Sequence, residues 1–157
     1  MKWITRERPK IDRIACPWLI ARFVDPQAEF LFAPPERVLS ESRRLEATPF
    51  DIPGVELTHD GPLCSFDAFL KKYRLVDPAL QRLAVIVRAA DTDTLDQSPQ
   101  AAGLLAISLG LGQNIADDHE LLKAGFVVYD ALYSWCRSLT GERHGWYPEK
   151  IPTGPAA

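Results

Sequence analysis

The sequence predicts a mostly α-helical α+β domain, with about five or six helices and a small β-sheet, on three observations. Apolar residues recur mainly at i, i+3, i+4 and i+7, only three short runs read as extended, and helix-start signals punctuate the second half of the chain. Trp3 to Thr5 is the first extended run. From Ile11 the spacing turns helical: Ile11, Ile14, Ala15, Trp18 and Leu19 form one apolar stripe, and its next member is Arg22, which aims a guanidinium at the core. Pro17 has no N–H to donate. A helix starting at Asp12 therefore leaves the Arg13 carbonyl without its partner and kinks, whereas a helix starting at Pro17 leaves Asp12 and Arg13 in the preceding turn. In both arrangements, polar groups of residues 12–16 are free to bind something.

Glu29 to Phe32 reads as the second strand, and Val55 to Thr58, after the Pro53-Gly54 turn, as the third. Between them, Pro35 to Glu46 is a polar amphipathic helix with Val38 and Leu45 as its apolar edge, which places it on the surface. Ser65 is the expected cap of a helix that turns Phe66, Phe69, Leu70 and Tyr73 inward and Lys71 and Lys72 outward. Asp77-Pro78 starts the next helix, whose stripe of Leu80, Leu83, Ala84 and Val87 continues to Asp91. Ser98-Pro99 starts another, apolar nearly all round from Ala101 to Leu109, which predicts a central buried helix stopped by Gly110 and Gly112. Asp117 and Glu120 form a capping box for the last helix, which carries Phe126, Tyr129, Leu132, Tyr133 and Cys136. Beyond Arg137 the composition turns to Gly, Pro and charge. Residues 1–140 are expected to be one domain and 141–157 a loose tail, with Trp146 and Tyr147 docking back. There is no internal repeat, low-complexity tract or interdomain linker.

At 157 residues, 46% hydrophobic and 25% charged, the chain is long enough to bury a core of its own. A formal charge of −3 argues against nucleic-acid binding driven by bulk electrostatics. Within residues 1–22, however, Lys2, Arg6, Arg8, Lys10, Arg13 and Arg22 face only Glu7 and Asp12, a local surplus suited to an oxyanion. No secretory signal or membrane-spanning run is visible, so the cytoplasm is the expected address. Cys16, Cys64 and Cys136 are widely spaced and odd in number, which fits reduced thiols and excludes a zinc-finger pattern.

Three constellations carry chemistry. His59 lies in the turn THDGP, Asp67 in the first turn of the following helix, and Asp91 at the end of a core-facing stripe. One imidazole with carboxylates is a ligand set for iron, manganese or zinc, with positions left open for water or an oxyanion. Asp91 carries most of this argument, because a buried carboxylate needs a cation or a donor. The plainer readings are that Asp67 favours a helix N-terminus by about 0.3–1 kcal/mol, that Asp91 pairs with Arg22, and that His59 bonds a backbone carbonyl. The second constellation is Arg8, Lys10, Arg13 and Arg22, with Arg6, as oxyanion ligands, the planar guanidinium fork matching a tetrahedral dianion as it matches phosphate. Solvated surface is the plainer reading for Arg6, Arg8 and Lys10. The third is Cys16 and Cys64 as redox thiols, Cys16 through a thiolate favoured by neighbouring basic residues, against the commoner role of buried small hydrophobe. His119 and His144 read as structural or exposed, and no catalytic triad or glycine-rich phosphate loop is present.

The stretch TRERPKIDRIACPWLIARFVDP resembles the opening of the chromate-resistance family, the C-terminal domain of ChrB proteins. FDIPGVELTHDGPLCSFDAF, LAVIVRAADTD and VVYDALYSWCR follow in the family's order, so that the likeness runs from residue 2 to 137. It implies a role in chromate resistance or chromate-responsive sensing rather than a known reaction. It also sets His59, Asp67 and Asp91 on positions where the family pattern has a histidine, an acid and an aspartate. In the family this domain follows a DNA-binding half or stands beside rhodanese-like domains; neither is expected here, where the pattern begins at residue 2. The partners expected are chromate or another small oxyanion and a separate regulatory protein, with no nucleic acid bound by this chain alone. The competing reading is a metal-dependent enzyme that reduces chromate or detoxifies reactive oxygen, and a third is a protein-docking module.

Overall fold

A computed structural model describes residues 1–144. The chain begins in its sheet, with β1 (Lys2–Arg6) at the centre, β2 (Glu29–Ala33) on one side and β3 (Thr48–Pro49) on the other, all parallel. Parallel neighbours need crossovers, and these are α1 (Asp12–Leu19) before β2 and α2 (Val38–Leu45) before β3. Successive residues of β1 point to opposite faces. Trp3 accordingly joins the large core with Trp18, Phe66, Phe69, Leu83 and Tyr129, while Ile4 packs with Ala33, Val38, Ala47 and Ile52 in a smaller one.

The third strand is not at Val55 to Thr58. That segment bends, with the Leu57 carbonyl accepting from the Asp51 N–H at 2.8 Å, and Thr48–Pro49 takes the sheet edge after a left-handed turn at Glu46 (φ 52°). Pro49 is tolerated because an edge strand can spare an N–H.

The remaining elements are α3 (Ser65–Lys72), α4 (Pro78–Asp91), α5 (Ala101–Asn114) and α6 (Asp118–Ser138), with short 3-10 turns at Pro35–Arg37 and Leu95–Gln97. Two start signals act as read: Asp77 accepts from the Ala79 N–H at 2.8 Å, and Asp117 from the N–H groups of His119 and Glu120. At α3 the cap is Cys64 rather than Ser65. Helix α1 does start at Asp12 with Pro17 inside it, then widens into a π-helical turn, Ile20–Val24, closed by the Asp25 N–H on the Ile20 carbonyl at 2.7 Å. This wider turn follows the break that proline makes in the ladder.

Helix α5 departs most from expectation. It is a surface helix, running through Gly110 and Gly112 to Asn114, with only Ala101, Leu104 and Ser108 buried. It rests by one side on α4 and α6, leaving Ile107 and Leu109 half exposed. No helix among the described residues is long and apolar enough to cross a membrane. Of the tail expected at 141–157, residues 145–157, with Trp146 and Tyr147, lie outside the described residues.

Candidate metal and oxyanion site

The site begins at a strained residue. Ile11 is β-branched yet adopts φ 41° and ψ −100°, outside the regions such residues favour. Helices α5 and α6 hold it there: its N–H donates to Ser108 Oγ at 3.3 Å, and its carbonyl accepts from the Tyr129 hydroxyl at 3.1 Å. From this fixed point the chain turns into α1, whose first residue, Asp12, is only 1% exposed. Asp51 enters from the loop after β3 with φ 52°, between buried Phe50 and Ile52. Asp91 closes α4, and His59 comes from the loop before α3.

The three carboxylates converge on one nitrogen of the His59 imidazole. His59 Nε2 lies 3.0 Å from Asp91 Oδ2, 3.4 Å from Asp51 Oδ1 and 3.6 Å from Asp12 Oδ2. Asp12, His59 and Asp91 each offer a ligand atom within 4.8 Å of the others. Ligands about 2.0–2.2 Å from one ion stand at most about 4.4 Å apart, so a small contraction brings this group into coordination range.

The electrostatics favour a cation. Burial pushes the Asp12 carboxyl well above its ordinary range, Asp91 and Asp51 push it further, and the Ser65 N–H on Oδ2 at 2.6 Å opposes them. Asp91 is raised as well, by burial and then by Asp51. Asp12 Oδ1 is buried without a hydrogen-bond partner. A second surface of the site is basic: Arg6 Nη2 lies 2.9 Å and Arg13 Nε 3.5 Å from Asp51 Oδ2. Burial and the neighbouring Arg6 lower the pKa of Arg13. Arg6, Lys10, Arg13, His59 and Asp91 border a cavity of about 370 Å³, with Leu105 and Leu109 of α5 as its apolar rim.

The structure brings His59 and Asp91 together, with Lys10 and Arg13 on the cavity beside them. Asp67 is elsewhere: both its oxygens take the Arg88 guanidinium, at 2.6 and 2.9 Å, and it closes the α3 capping box on the Cys64 N–H. Arg22 reaches neither the core nor Asp91. The π-helical turn carries it outward, where it pairs with Asp130 at 2.8 Å and lies over the Phe126 ring. Arg8 ties down the loop between α5 and α6, donating to the carbonyls of Gly112, Ile115 and Ala116 and pairing with Asp118. Cys16 and Cys64 are buried, and burial, reinforced by nearby carboxylates including Asp12, pushes both thiols up, the reverse of an activated thiolate.

A larger cavity, about 800 Å³, lies near Arg8, Arg37, Glu41 and His119. Two of the basic groups around it are paired, Arg8 with Asp118 and Arg44 with Glu41, and His119 Nε2 sits 2.9 Å from the Phe30 carbonyl.

Sequence reasoning names neither Asp12 nor Asp51 as a ligand. Asp12 belongs to residues 12–16, whose polar groups the sequence leaves free to bind, but nothing in the spacing sets it beside His59 and Asp91. Asp51 had a usable signal, a lone acid between Phe50 and Ile52.

The family described as ChrB, C-terminal domain, matches residues 3–136. Protein ChrB of Cupriavidus metallidurans is 34% identical over 134 residues, which is 85% of this chain and 40% of that protein. The chain thus spans less than half the length of this curated relative. No solved structure matches it.

Proposed function

The chain belongs to the ChrB C-terminal domain family, and from that membership we propose that it is a chromate-resistance or chromate-sensing domain built on a divalent-metal centre. Asp12, His59 and Asp91 hold the ion, and Arg13 and Lys10 receive chromate or another small oxyanion beside it. The observation that carries this reading is Asp12, almost wholly buried, with one carboxylate oxygen left without a donor in a group of ligand atoms within 4.8 Å of one another. Such a carboxylate costs several kcal/mol unless a cation offsets it. One imidazole with hard oxygen donors suits manganese, iron or zinc.

The deciding experiment is elemental analysis of untagged protein purified without chelators, beside His59→Ala and Asp12→Asn, with circular dichroism to establish folding. Near-stoichiometric metal in the parent, lost in both folded variants, is the expected result. A folded parent that stays metal-free after reconstitution with iron, manganese and zinc overturns the reading. Arg13→Ala is expected to retain the metal and weaken oxyanion binding at least tenfold, read by calorimetry; unchanged affinity removes Arg13 from the oxyanion site.

The cavity beside His59 and Asp91 supports a second reading, a metal-dependent enzyme, because it leaves room for water or substrate at the ion. Turnover of chromate or of a reactive oxygen species by the metal-loaded parent and not by His59→Ala distinguishes it. Saturable binding without turnover leaves the sensor, its signal passing to a separate regulatory protein.

A further inference from the structure

Two buried side-chain polar atoms lack a hydrogen-bond partner among the described residues, and both are at this site: an acceptor, Asp12 Oδ1, and a donor, Arg6 Nε. One calls for a cation and the other for an anion. Asp51 stands between them. Its Oδ1 accepts from Ser65 Oγ at 2.7 Å and lies 3.4 Å from His59 Nε2, while its Oδ2 faces Arg6 Nη2 at 2.9 Å and Arg13 Nε at 3.5 Å.

Resting on the metal reading above, we propose that Asp51 makes the site a cooperative receptor for a divalent cation and a tetrahedral dianion together. Asp51 takes a hydrogen bond from Arg6 and an ion pair with Arg13, both of which a dianion would use, and the two guanidinium groups draw off the negative charge that a cation would use. An ion at His59 attracts Asp51 through Oδ1 and loosens its hold on the two arginines. A dianion on Arg6, Arg13 and Lys10 replaces Asp51 there and frees its carboxylate for the ion. Each ligand thereby removes part of the cost of binding the other, and linkage requires the effect to be equal in both directions. Asp51 takes a left-handed φ of 52°, a conformation that aspartate accepts.

The test is calorimetry with Mn²⁺ and with molybdate, a tetrahedral dianion that avoids the oxidising chemistry of chromate. In the parent, saturating molybdate is expected to tighten Mn²⁺ binding by at least about tenfold, and Mn²⁺ to tighten molybdate by the same factor, within the usual range for coupled sites. Asp51→Asn is expected to bind both ligands with a coupling factor near one, because it lacks the charge that the cation attracts and the dianion displaces from the arginines. Asparagine is among the residues that accept a left-handed backbone, so this variant keeps the loop. Arg6→Ala is the independent check: Asp51 is then available to the ion from the start, so Mn²⁺ alone binds more tightly and molybdate adds little.

Coupling retained in Asp51→Asn would assign the effect to the general field of the site and overturn the role of Asp51. Parent protein that binds both ligands with affinities independent of each other overturns the coupling and leaves the metal reading standing. Absence of Mn²⁺ binding in the folded parent removes both.

Discussion

Asp12 shows what the site does to a single residue. Its carboxyl is held well above the ordinary value of 3.8, by burial first and then by Asp91 and Asp51. The corresponding stability is fully present below about pH 3.8 and is lost as pH rises through the higher folded value. Asp12→Asn has no such loss and still accepts from the Ser65 N–H. In the presence of chelator, the variant is therefore expected to melt above the parent at pH 7 and to approach it near pH 4, with about 2–4 °C for each kcal/mol in a domain of this size. Saturating Mn²⁺ should reverse the order. A variant that melts below the parent at pH 7 with chelator present would mean that ionised Asp12 is stabilised by the protein alone. At this scale the sequence was half legible. Asp91 was found because it continues an apolar stripe, and His59 because a turn histidine beside acids is conspicuous. Asp12 was hidden among basic neighbours, and Asp67 looked like a ligand because the guanidinium that claims it, Arg88, lies 21 residues away.

Helices α1 and α6 have to meet closely for Asp12 to be where it is. They touch at Gly125, where a Cβ would overlap Ile14 Cγ2. Ile14 is buried and β-branched, so it has little room to rotate away. Gly125→Ala is expected to destabilise by about 1–3 kcal/mol through overpacking, and to weaken metal binding because α1 moves with Asp12 at its start. Thermal melts and Mn²⁺ titration check both effects, and Ile14→Ala in the same chain should cost less than the two single changes together, since it removes the overlapping methyl. Additive losses would place the strain elsewhere. Local signals read two helix starts, at Asp77-Pro78 and Asp117. They failed where neighbours decide: β3 is set by pairing with β1, and an all-round apolar pattern in α5 says nothing of how many sides are covered.

At the scale of the molecule, the site draws on residues 6–13, 51–65 and the end of α4 at Asp91, so one ion would join the first helix, the central loop and the middle of the chain. A ligand that bridges such distant segments opposes global unfolding rather than the fraying of one loop. At a free metal concentration of 100 times Kd the stabilisation is about 2.7 kcal/mol, or roughly 5–11 °C in melting temperature for a domain of this length. That rise is expected in the parent and absent in His59→Ala. Hydrogen exchange should slow on metal binding in α1, in the loop carrying Asp51 and His59, and at the end of α4 together. Protection confined to the His59 loop would mean that the ion sits on exposed ligands at the surface and leaves Asp12 out. The net charge of −3 gave no hint of this arrangement, because a whole-chain sum cannot show that three carboxylates and two guanidinium groups from separate parts of the sequence meet around one imidazole.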